Sequence, residues 1–79
     1  MAKTQHWRIA RSGNEHVLTY TRYAIRNKIT LEIDGECFTL PKGEREEPFR
    51  LGDEQAILII RKNGSAAIRL RSGEVAECQ

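Results

Sequence analysis

The chain has 79 residues and a mass of 9.1 kDa, which leaves room for one domain over 1–79 and a thin core. It is 39% apolar and 30% charged with a net charge of +2, a balance that argues against disorder, and its two prolines and six glycines exclude a collagen-like chain. No apolar run approaches the ~20 residues that span a bilayer, so no membrane partner is expected.

Short alternating runs separated by turn dipeptides point to antiparallel strands. The first hairpin is expected to turn on a four-residue loop, Ser12-Gly13-Asn14-Glu15. Ile9 would then face Leu18, and Trp7 would face Tyr20. The second strand runs to Tyr23 or Ile25 and could pass from one sheet into another.

The clearest element spans residues 28–40, where Asp34-Gly35 divides two alternating runs. Asp-Gly suits a two-residue turn in which both central residues take positive φ. That register sets Ile33 against Glu36, Leu31 against Phe38 and Ile29 against Leu40. Opposed residues share a face, so Ile29, Leu31, Ile33, Phe38 and Leu40 make one apolar surface.

Residues 41–48 hold no large apolar side chain and are bracketed by Pro41 and Pro48, so they are read as a long loop. Phe49-Arg50-Leu51 returns to the core and Gly52-Asp53 turns the chain. Residues 56–60, Ala-Ile-Leu-Ile-Ile, are apolar on both faces, as in a central, doubly covered strand. An Asn63-Gly64 turn would pair Ile59 with Ile68, Ile57 with Leu70 and Ile60 with Ala67. A Ser72-Gly73 turn would pair Leu70 with Val75 and Arg71 with Glu74, starting a last strand from Glu74 to about Cys78.

The expected fold is all-β: about seven short antiparallel strands, mostly a meander, closed into a small barrel or folded into a two-layer sandwich. The expected core is Trp7, Ile9, Leu18, Ile29, Leu31, Ile33, Phe38, Leu40, Phe49, Ile57, Ile59, Ile60, Ile68 and Leu70.

Charge is unevenly distributed. Residues 1–30 carry six basic side chains and one acid, residues 31–60 three and eight, and residues 61–79 four and two. Nine of the 13 cations are Arg, the side chain suited to bidentate contact with phosphate or carboxylate.

Little in the chain promises chemistry. His6, His16, Cys37 and Cys78 lack the close spacing of metal ligands, so no metal is expected, and the histidines read as surface residues flanking the first hairpin. Cys37 faces Glu32, which disfavours a reactive thiolate. No nucleophile elbow or Gly-rich phosphate loop is present. No catalysis, cofactor or small-molecule substrate is expected. The polar N-terminus has no leader-like apolar stretch, so a cytoplasmic location with two free thiols is expected.

The functional expectation is a non-catalytic protein-interaction module, through an edge strand or by self-association. The alternative is a small nucleic-acid-binding barrel that stacks bases beside a basic track. Either would use Arg22, Tyr23, Arg26, Arg69 and Arg71 as clamps and a stacking platform.

Overall fold

The computed structural model describes residues 2–78. Eight strands make two four-stranded antiparallel sheets. The first sheet is β1 (Ala2–Arg11), β2 (Asn14–Tyr23), β3 (Ile29–Ile33) and β4 (Glu36–Leu40). The second is β5 (Arg45–Leu51), β6 (Glu54–Ile60), β7 (Ala66–Arg69) and β8 (Val75–Ala76). In both, spatial order follows chain order, and among the described residues no ladder closes the sheets into a barrel. The expected all-β antiparallel meander is present, with eight strands where the sequence suggested seven.

The β3–β4 hairpin has the expected register, Ile29 to Leu40, Leu31 to Phe38 and Ile33 to Glu36. The β5–β6 hairpin turns at Gly52-Asp53 as expected, and three others depart from expectation for identifiable reasons. In β1–β2 the turn is only Ser12-Gly13, with φ of 53° and 80°, a two-residue turn of the type whose twist matches its strands. Trp7 therefore faces Leu18, and Ile9 faces His16. The shift is two residues, so the same side chains point inward. β2 ends at Tyr23 within its own sheet, and Ile25 is 93% exposed beyond it.

The β6–β7 and β7–β8 hairpins slip by one residue, which has a larger consequence. Arg61 N donates to Ser65 O, and Gly64 N donates to Arg61 O. This is a three-residue loop ending in a left-handed glycine bulge, at φ of 89° for Gly64. Leu58 rather than Ile59 now faces Ile68. An odd slip moves a strand's whole side-chain set to the other face. Ala56, Leu58 and Ile60 are buried, while Ile57 and Ile59 are half-buried on the outer face. The 71–73 turn has the same form, with Leu70 N donating to Glu74 O and Gly73 N to Leu70 O. Arg69 accordingly faces Val75, and the last strand is only Val75–Ala76.

Residues 45–48 are not loop but the start of β5, paired along β6 with Pro48 opposite Ile57. A proline is tolerated there because β5 is an edge strand.

One hydrophobic cluster draws on both sheets. It includes Leu58, which the expected core omits, together with Tyr20 and Leu51, which the sequence sets beside core residues. Ile33, Leu40 and Phe49 are only partly buried at its margin, and Phe38 is 43% exposed.

The sheets are fastened along the side where β1 meets β7 and β8. β8 is too short to pair Ala66, and the Gln5 carboxamide takes its place. Gln5 Nε2 donates to Ala66 O at 3.0 Å, and Ala66 N donates to Gln5 Oε1 at 2.8 Å. Trp7 Nε1 donates to Ala76 O at 3.1 Å. The two Gln5 bonds satisfy Ala66 backbone groups that the short β8 leaves without partners, and the Trp7 bond adds a second tie to the second sheet.

At the tight-turn end, Arg11 forks onto Glu54 at 2.7 and 3.0 Å. Asp34 accepts from His16 Nδ1 at 2.6 Å and from Val17 N at 2.9 Å. The side chain of His16 is only 12% exposed, so it belongs to this cluster rather than to the open surface. Hydrogen bonding to Arg11 holds Glu54 below its ordinary pKa, and hydrogen bonding to His16 does the same for Asp34. A carboxyl depressed in the folded state stabilises above its unfolded pKa, and that stabilisation is lost as pH falls through the folded value. Stability is therefore expected to hold down to about pH 4 and to decline progressively below it. Arg11→Met should remove Glu54's share of that decline, so that stability falls less between neutral pH and about pH 3 than in the wild type, as read from denaturant melts followed by circular dichroism at each pH.

Candidate protein- and anion-binding surfaces

Strand alternation puts the four tight turns (12–13, 34–35, 52–53 and 71–73) at one end of the molecule. The Arg11–Glu54 pair and the approach of Gly52 to His16 tie these turns together across the sheets. The connections 24–28, 41–44 and 61–65 lie at the other end, where Tyr20 Oη of β2 donates to Gly64 O at 3.0 Å.

Charge follows this polarity. Lys3, Arg22, Arg26, Lys28, Lys42, Arg45, Arg61 and Lys62 lie at or beside the loop end. Arg45 pairs with Glu47 and Arg61 with Glu77. The other six enter no ion pair among the described residues. A cleft of about 390 Å³ opens here between Lys3, Gln5, Tyr20 and Arg22 on one side and Asn63 to Ser65 on the other. Burial pushes the Tyr20 phenol up, so it serves as a neutral donor to Gly64. Its ring is 1% exposed and offers no stacking face.

Arg22 packs under Gly64: a Cβ added there would lie 2.5 Å from Arg22 Nε. Gly64→Ala would also force a side chain into left-handed φ. It is expected to lower stability by about 1–2 kcal/mol and to displace Arg22, as read by a thermal melt and by chemical shifts of the Arg22 side chain.

The five residues singled out from sequence do not form one surface. Arg22 lies on the inner face of β2 in the cleft. Tyr23 is its neighbour on the opposite face, with Lys28 Nζ 5.2 Å from its ring centre. Arg26 is exposed in the 24–28 connection. Arg69 is on the outer face of the second sheet, bound to Glu46 at 2.8 Å. Arg71 is in the 71–73 turn, at the far end of β7 from Gly64 and near enough to Glu54 to lower its pKa.

A second surface was not singled out from sequence. Where β1 and β7–β8 hold the sheets together, β4 and β5 leave them apart. An apolar groove of about 450 Å³ runs between these two edge strands. Leu31 and Leu58 form its floor; Ile33, Phe38 and Leu40 line the first-sheet wall, and Pro48 and Phe49 the other. Glu36, Glu47 and Arg50 stand at its rim. Only the alternation of Phe38 and Leu40 onto the inner face gave a signal in the sequence; which edge stays open depends on both sheets.

Cys37 and Cys78 are free and exposed. Among the described residues no three His, Cys, Asp or Glu side chains converge to hold a metal ion. No protein-family model, curated protein or solved structure matches the chain.

Proposed function

We propose that this protein is a non-catalytic protein-interaction module whose docking surface is the groove between β4 and β5. The observation that carries the reading is the exposure of Phe38, 43% open on an unpaired sheet edge beside that groove. Apolar surface concentrated in a concave site favours burial against a partner. An edge strand beside it offers unpaired backbone groups to an added strand, whose alternate side chains would enter the groove.

A photo-crosslinking amino acid at position 38, with a control at Ala10 on the exposed outer face of β1, tests the reading inside the cell. Polypeptide adducts are expected at position 38 and not at position 10. Absence of adducts at 38, or equal yields at both, would overturn it.

A second reading, nucleic-acid binding, is supported by the concentration of unpaired cations at the loop end. Lys3, Arg22 and Arg26 would contact phosphates, with Tyr23 the available ring. Arg69 and Arg71 lie away from this end and drop out of that site. Binding of labelled oligonucleotides should then weaken steeply with salt as counterions are released. Arg22→Ala should weaken it at low salt, measured by fluorescence anisotropy.

A further inference from the structure

We infer that the occupant of the groove is a second copy of this chain, joined β4 to β4 in an antiparallel, twofold-symmetric dimer. The inference rests on the reading of the groove as a protein-binding surface and names its partner.

The four sheet edges differ in how they discourage added strands. β1 is tied across to β7 and β8 through Gln5 and Trp7. β8 is two residues long. β5 carries Pro48 and four charged residues, the devices that block edge pairing. β4 has no proline and one charge, Glu36, and it carries the exposed Phe38.

The sequence of β4 is self-complementary. With the twofold axis at Phe38, that ring meets its own copy. Glu36 then faces Leu40 and Cys37 faces Thr39, so no like charges oppose each other. Antiparallel extension of a sheet keeps the inner face on one side, making the first sheets a continuous eight-stranded sheet. The same axis brings the two β5 edges together, because Phe38 and Pro48 line one groove.

With Pro48 at the axis, Glu46 of each copy, which already accepts from Arg69 of its own chain, also faces Arg50 of the other, twice by symmetry. Pro48 has no N–H to donate, so β5 contributes by packing and ion pairing while β4 contributes the ladder. The apolar walls of both grooves are covered in one event, as an isologous interface requires.

Sedimentation equilibrium across a wide concentration range tests the inference, with melts to show that each variant folds. The wild type is expected to show twice the 9.1 kDa chain mass, and Phe38→Glu to stay monomeric. Arg50→Glu, which sets a second carboxylate against Glu46, should weaken the dimer about tenfold. Glu46→Arg combined with Arg50→Glu should restore it. A dimer that survives Phe38→Glu, or a double variant no tighter than Arg50→Glu alone, would overturn the inference. A monomeric wild type that crosslinks at position 38 to a different protein would overturn the second copy and leave the groove reading standing. A monomeric wild type with no adduct at position 38 would remove both.

Discussion

Leu58→Ala is expected to destabilise the protein by about 2–5 kcal/mol, the range for a buried leucine truncated in a core that relaxes only in part. Leu58 is fully buried, faces Ile68 across the central ladder and forms part of the groove floor. A domain with about 5–15 kcal/mol of total stability would lose much of it. The neighbouring Ile59→Ala is expected to cost less, about 1–2 kcal/mol, because Ile59 lies half-buried on the outer face. Paired thermal and denaturant melts check both. Equal losses, or a larger loss for Ile59, would mean that β6 has the opposite register and the Asn63-Gly64 loop is a two-residue turn.

Trp7→Ala is expected to cost about 3–5 kcal/mol. Trp7 is 1% exposed in β1 and reaches the second sheet through Nε1. The substitution removes the largest buried side chain and a bond that holds β8 in place. Trp7→Phe separates these contributions, because it keeps a ring and loses the donor. It should still cost roughly 0.5–1.5 kcal/mol, since the indole bond to the Ala76 carbonyl is lost. Loss of protection at β8 amides in Trp7→Phe, with β2 and β3 unchanged, would show the indole acting as a fastener between sheets.

The hairpin over residues 28–40 was legible because two independent signals coincide there: the Asp34-Gly35 turn and strict alternation on both sides. The register of β6 was not. Ala-Ile-Leu-Ile-Ile is apolar at every position, so its pattern does not say which side chains face inward. The decision passes to the loop, and Asn-Gly fits both a two-residue turn and a three-residue loop ending in a glycine bulge. β5 was hidden by its composition. Arg45, Glu46 and Glu47 look like loop residues, and they are strand because β6 supplies the hydrogen-bonding partner.

The candidate surfaces were legible in fragments. The excess of cations in residues 1–30 was visible, but their meeting with Arg61 and Lys62 at the loop end depends on tertiary alternation of the turns. Phe38 was assigned to the correct face from alternation alone. Its exposure could not be read locally, because it depends on where the two sheets part.

The most direct measurement of which surface engages a partner is a chemical-shift footprint of nitrogen-15-labelled protein, first diluted until it is monomeric and then mixed with an excess of unlabelled protein. The expected result is shifting or broadening at Leu31, residues 36–40, Phe49 and Leu58, with Tyr23 and Arg26 unchanged. Perturbation confined to Lys3, Arg22, Tyr23 and Arg26, with β4 unchanged, would contradict the groove and assign the binding to the basic end.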